Sequence, residues 1–134
     1  MDGLQCLTKL RKIDLGANRI RVMDSEQLAP LVNLEELWLG KNKIEEISGL
    51  TTLTKLRRLD VQSNRLTKVE NLAAVADTLE ELYLSSNGID SEGAVLPTGL
   101  AEQFKLLNVL DLSKNRLTHA NDFGHLTTLE ELWL

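Results

Sequence analysis

Two histidines, His119 and His125, and one cysteine, Cys6, hold most of this chain's familiar ligand and nucleophile chemistry. They do not make a set. The histidines stand six residues apart without companion cysteines, a spacing with no recognised zinc geometry, so no metal is expected. No G-x-S-x-G turn, phosphate-binding loop or dinucleotide fingerprint occurs, and no motif marks a pair of carboxylates for acid–base work. The expectation is no enzyme and no cofactor. The informative chemistry is that of recognition. Trp38, Tyr83 and Trp133, which are both tryptophans and the only tyrosine, each stand between two leucines, and Asp14, Asp60 and Asp111 stand in the same setting.

An apolar–x–apolar triplet has the period of a strand, with its outer residues turned to one side and the middle one to the other. The triplets sit in a longer frame, clearest at Leu56-Leu59-Val61-Asn64-Leu66. The frame recurs at Leu10-Ile13-Leu15-Asn18-Ile20, Leu34-Leu37-Leu39-Asn42-Ile44, Leu79-Leu82-Leu84-Asn87-Ile89 and Leu107-Leu110-Leu112-Asn115-Leu117, and a sixth copy starts at Leu129-Leu132-Leu134. This is the leucine-rich-repeat pattern. It implies an α/β solenoid: a short parallel sheet on the concave face, and 3₁₀ or α segments on the convex face. The whole of residues 1–134 reads as one such domain of about six repeats.

Between strands the apolar period changes to three, at Ile44, Ile47, Leu50, Leu53, Leu56 and Leu59, which suits a tight 3₁₀-like return. Each frame asparagine is expected to turn inward and bind backbone groups of the bend, because a buried amide must be satisfied. Two units are longer. In one, Ser25 is expected to cap a short helix. In the other, the frame asparagines are 28 residues apart, and GIDSEGAVLPTGLAEQFKLL resembles the ribonuclease-inhibitor type of repeat, with an α-helix after Pro97. Leu4 and Leu7 offer a partial repeat at the start, whereas Trp133-Leu134 carry no polar capping unit. The expectation is a fragment of a longer array lacking its C-terminal cap, with self-association through that end, since solenoids need caps for solubility.

In register, the middle residues of the strands form one column: Asp14, Trp38, Asp60, Tyr83, Asp111, Trp133. Two residues earlier a second column reads Lys12, Glu36, Arg58, Glu81, Val109, Glu131, whose alternating signs predict cross-strand ion pairs. A third, Arg19, Lys43, Arg65, Gly88 and Arg116, predicts a basic strip along one edge. Exposed aromatics among acids on a concave face are typical interface anchors. A net charge of -5 argues against a nucleic-acid partner, and no apolar run is long enough for a membrane span. A single cysteine precludes an intrachain disulfide and fits an intracellular, reducing compartment.

The wording of LGANRIRVMD, LWLGKNKIEEISGL, LDVQSNRLTKVENL and LYLSSNGI closely resembles consecutive repeats of the leucine-rich-repeat regulatory subunits of protein phosphatase 1. The resemblance implies a nuclear and cytoplasmic regulatory subunit that binds the phosphatase catalytic subunit through its concave face. Carried over by position, the contact residues are Asp14, Trp38, Asp111, Glu131 and Trp133, with Asp60 and Tyr83 in the same column. AVADTLEELYLSSN also resembles the leucine-rich-repeat light chain of axonemal outer-arm dynein, which implies a cytoskeletal adaptor as the alternative, and an intracellular scaffold of another complex stands third.

Overall fold

The computed structural model describes residues 1–119 and 123–134. Six short strands form one parallel sheet in chain order: β1 (Lys12–Asp14), β2 (Glu36–Trp38), β3 (Arg58–Asp60), β4 (Glu81–Tyr83), β5 (Val109–Asp111) and β6 (Glu131–Trp133). The register leaves no slippage. Ile13, Leu37, Leu59, Leu82, Leu110 and Leu132 face one another across successive strands, so the flanking columns align as the sequence frame requires.

One continuous core lies behind the sheet. In the central repeats the frame residues Leu56, Leu59 and Val61 are fully buried, and their counterparts in the repeats on either side are no more than 4 % exposed. Each such leucine contributes roughly 1.5–3 kcal/mol of transfer free energy. The convex returns add Ile47, Leu50, Leu53, Val69, Leu72 and Val75 to the same cluster. Threonines tie the returns together, with Thr52 Oγ1 donating to Ala29 O (3.0 Å) and Thr78 Oγ1 donating to Leu56 O (2.8 Å). Toward the two ends the core thins. Leu4, Ile13, Leu15 and Leu129 are half-buried, and Leu132 and Leu134 are 42 % and 51 % exposed.

The frame asparagines Asn42, Asn64, Asn87 and Asn115 turn inward as expected, whereas Asn18 bonds Leu15 O and Gly16 O but stays exposed. Asn64 Nδ2 donates to Leu39 O, Val61 O and Gln62 O at 2.9–3.2 Å, while its Oδ1 accepts from Ile44 N at 2.9 Å. Asn42, Asn87 and Asn115 repeat that set. The residue before each asparagine is left-handed: Ala17, Lys41, Ser63, Ser86 and Lys114 have φ between 55° and 57°. A non-glycine residue is strained there; at Ser63 it is held by the Asn64 bonds to the two preceding carbonyls, Val61 O and Gln62 O, and by its own N–H, which donates to Ser85 O at 2.8 Å.

Two expectations about the convex side are corrected. The helix α1 (Ser25–Leu28) forms, but its cap is Asp24, whose Oδ1 accepts from Glu26 N (2.9 Å) and Gln27 N (3.4 Å). Asp24 is in the extended conformation a cap needs, whereas Ser25 is already helical. The 28-residue unit carries turns and a single 3₁₀ turn, Ala101–Gln103, rather than an α-helix. Asp90 Oδ1 binds Gly93 N (2.7 Å), and Gly93 O accepts from Val69 N (2.7 Å), fixing the segment to the preceding repeat. A Cβ on Gly93 would lie 2.0 Å from Thr67 O, so only glycine allows that approach. Gly99, at φ +80°, then breaks any helix that Pro97 would have started.

Candidate functional site

The concave column alternates chemically because each strand holds a fixed pair of groups. On β2, β4 and β6 the triplet is Glu-Leu-aromatic, and the glutamate two residues back receives the aromatic's polar tip. Trp38 Nε1 donates to Glu36 Oε2 (3.2 Å), the Tyr83 hydroxyl to Glu81 Oε2 (2.8 Å), and Trp133 Nε1 to Glu131 Oε2 (3.3 Å). On β1, β3 and β5 the triplet ends in aspartate, and the carboxylate bonds the amide two residues on. Asp14 Oδ1 accepts from Gly16 N, Asp60 Oδ1 from Gln62 N and Asp111 Oδ1 from Ser113 N, all at 2.8–3.0 Å. These aspartates therefore anchor the bend that follows the strand.

The predicted site residues share one face but differ in access. Asp14 and Glu131 are exposed, and Asp111, Trp38 and Tyr83 are half-buried. Trp133 is 57 % exposed, and Asp60 only 4 %. Both Asp60 oxygens are occupied by Gln62, the second through Nε2 at 3.1 Å, and burial pushes its carboxyl pKa above the usual aspartate range. Asp60 is thus a positioning residue beneath the surface.

Trp38 and Tyr83 are not the freely exposed anchors that their place in the triplet predicts. Arg58 lies between them, its guanidinium carbon 4.3 Å from the Trp38 ring centroid and 4.6 Å from that of Tyr83. Its Nη1 bonds Glu81 (2.8 Å), while its Nε is buried without a hydrogen-bond partner. The ring faces hold this cation, each contributing about 0.5–2 kcal/mol. Arg58 is the residue that column-by-column reading overlooks. The signal was its place between two aromatic strands, one column across. Burial and then the Glu81 carboxylate raise the Tyr83 hydroxyl pKa.

The predicted cross-strand ion pairs form between β1 and β2 and between β3 and β4. Lys12 pairs with Glu36, whose pKa is lowered chiefly by that hydrogen bond, and Arg58 pairs with Glu81. A second ladder sits one residue earlier, where Arg11 grips Glu35 and Arg57 grips Glu80 in two-pronged pairs of 2.8–3.0 Å. On the basic edge, Arg65 reaches Glu45 at 3.7 Å. His119 and His125 stand apart from this face, lining a convex-side cleft of about 460 Å³ with Glu102 3.5 Å from His125 Nδ1. Among the described residues no group of three or more His, Cys, Asp or Glu could hold a metal ion, and no helix is long and apolar enough to cross a membrane.

Three models described as leucine-rich repeats match residues 8–66, 77–96 and 106–126. A curated relative from Arabidopsis thaliana, "Protein phosphatase 1 regulatory inhibitor subunit PPP1R7 homolog", is 43 % identical over 131 residues, covering 96 % of this chain. The chain spans 38 % of that relative's length. Among solved structures, a leucine-rich-repeat protein of Leptospira interrogans superposes with a TM-score of 0.82 at 33 % identity, covering 97 % of this chain and 32 % of that one. An internalin from Listeria monocytogenes superposes with a TM-score of 0.78 at 29 % identity, covering 93 % of this chain and 35 % of the other. The recurring frame, the in-register parallel solenoid and these matches agree: the chain belongs to the leucine-rich-repeat proteins.

Proposed function

We infer that this chain is a non-catalytic interaction module of a phosphatase regulatory subunit, and that its concave face binds the catalytic subunit of protein phosphatase 1. The observation that carries the reading is the single column of alternating acids and aromatics, aligned strand by strand from Asp14 to Trp133. The 43 % identity to a relative named as a phosphatase 1 regulatory subunit supports the choice of partner. The contacts are assigned to Asp14, Trp38, Tyr83, Asp111, Glu131 and Trp133, with Asp60 holding the bend beneath them. The reading places the protein in the nucleus and cytoplasm, and an exposed free thiol at Cys6 is compatible with a reducing compartment.

The test is capture of purified phosphatase catalytic subunit by the Trp38→Ala/Trp133→Ala double variant. An interface aromatic costs about 2 kcal/mol or more on truncation, so affinity should fall at least about 30-fold while thermal unfolding stays cooperative. Undiminished capture by a folded double variant would remove the concave face from the reading.

A further inference from the structure

The concave face has a repeat of two strands, and that longer period is broken once. Arg11 and Lys12 answer Glu35 and Glu36 on the next strand, and Arg57 and Arg58 answer Glu80 and Glu81. By the same alternation, the residues at β5 should answer Glu130 and Glu131. They are Asn108 and Val109. Glu130 and Glu131 are both exposed, and neither has an ion-pair partner among the described residues.

The geometry around Val109 repeats that around Arg58. Arg58 is in register with Glu36 on one side and Glu81 on the other, and Val109 with Glu81 and Glu131. Asp60 lies between Trp38 and Tyr83, and Asp111 between Tyr83 and Trp133. The position that the Arg58 guanidinium fills between two rings therefore has a counterpart one strand pair along. That counterpart has Tyr83 and Trp133 as walls, Val109 as floor and Glu131 as its acid. Trp133 lies on the edge strand of the sheet and is 57 % exposed, and no Arg58 equivalent stands beside it.

We propose that this slot takes an arginine side chain from a protein partner, its guanidinium between Tyr83 and Trp133 and its charge on Glu131. The chain itself shows the fit, because Arg58 satisfies the same constellation internally. Arginine suits it better than lysine because a planar guanidinium stacks on both rings while its edge still meets a carboxylate. The proposal rests on the concave face being the protein-binding face, and adds what chemistry the partner must bring to one end of it.

The test uses N-acetyl-argininamide at millimolar concentration as the probe, read by the indole N–H resonances of Trp38 and Trp133 in the full chain. Saturable shifts should appear at Trp133 and not at Trp38, whose ring Arg58 already covers, and the norleucine amide should produce neither. Val109→Arg supplies the cation from within and should abolish the response, whereas Val109→Leu should retain it. Glu131→Gln should weaken binding about fivefold, the worth of roughly one exposed charge pair. Should Val109→Arg lower the thermal transition, Glu131→Arg replaces it, since Glu131 is exposed; it reverses the charge of the slot's acid and should likewise abolish the response. Equal shifts at both tryptophans, or a response that persists in a folded Val109→Arg protein, overturns the slot. Capture of the phosphatase catalytic subunit is measured in parallel. A probe response at Trp133 without phosphatase capture sinks the proposed function and leaves the slot standing. Phosphatase capture with no probe response does the reverse.

Discussion

Replacing Asn64 by alanine removes four hydrogen bonds at once, and their geometry sets the cost. Three are donated by Nδ2 to Leu39 O, Val61 O and Gln62 O, and one is accepted by Oδ1 from Ile44 N. A neutral bond is worth about 1 kcal/mol net, and a buried donor left without an acceptor costs about 1–3 kcal/mol. Ile44 is fully buried, so its N–H falls in the second class. Ser63 would also keep its left-handed φ of 55° with only its own N–H, bonded to Ser85 O at 2.8 Å, to brace it. The expected loss is roughly 3–5 kcal/mol, a large part of the stability of a domain this size. Asn18 provides the internal comparison. It is exposed, donates only to Leu15 O and Gly16 O, and its Oδ1 takes no bond from another repeat among the described residues. Asn18→Ala should cost about 1–2 kcal/mol. The assay is urea unfolding of both variants, with midpoints compared at matched m-values. Asn64→Asp keeps the acceptor but sets a carboxylate oxygen against the three carbonyls that Nδ2 now bonds, so at neutral pH it should cost at least as much as Asn64→Ala. Equal losses at Asn18 and Asn64 would refute the claim that the bond to the neighbouring repeat dominates.

Two further predictions concern the scaffold. Gly93→Ala drives a methyl toward Thr67 O, so the segment must shift and release the Val69 N–H; thermal unfolding should show a loss of about 1–3 kcal/mol, and an unchanged transition would mean the approach is not close. Asp60 has a folded pKa raised by burial, so its ionised form opposes folding at neutral pH, and stability from this group rises as pH falls into the window just above the ordinary aspartate range. Asp60→Asn should leave neutral-pH stability equal or higher and flatten that part of the stability–pH curve; a steeper acid dependence than wild type would contradict it.

The frame, the register and the columns were legible in the sequence because each rests on a period of two fixed by alternating apolar residues. Buried Leu37, Leu59 and Leu82 leave the strands no other way to face. The inward asparagines were legible too, since a polar residue at a core position must find backbone partners. The left-handed bends before them were not. Ala17, Lys41 and Ser63 have no propensity for that conformation, and it is imposed by the neighbouring asparagine bonds and by their own N–H bonds to Gly40, Gln62 and Ser85 in the next repeat. The α-helix expected after Pro97 failed because the apolar spacing hid two glycines: Gly93, which presses the segment against Thr67, and Gly99, whose φ of +80° interrupts the run. At the site, the column was readable but its exposure was not. Arg58 covers Trp38 and Tyr83 from a different column, and that contact depends on three strands at once.

The asparagine ladder has a direction. The amides of Ile20, Ile44, Leu66 and Ile89 receive their acceptors from Asn42, Asn64, Asn87 and Asn115, which lie 20–26 residues later in the chain. One set of sheet bonds runs the same way, with Leu39 N donating to Asp60 O and Val61 N to Tyr83 O, while Arg58 N and Glu81 N donate back to Glu35 O and Arg57 O. On the ribosome, each turn of the solenoid therefore waits for its successor to emerge before its backbone is complete. The nascent protein is always one unfinished repeat behind synthesis, and that trailing edge is where a chaperone would find it.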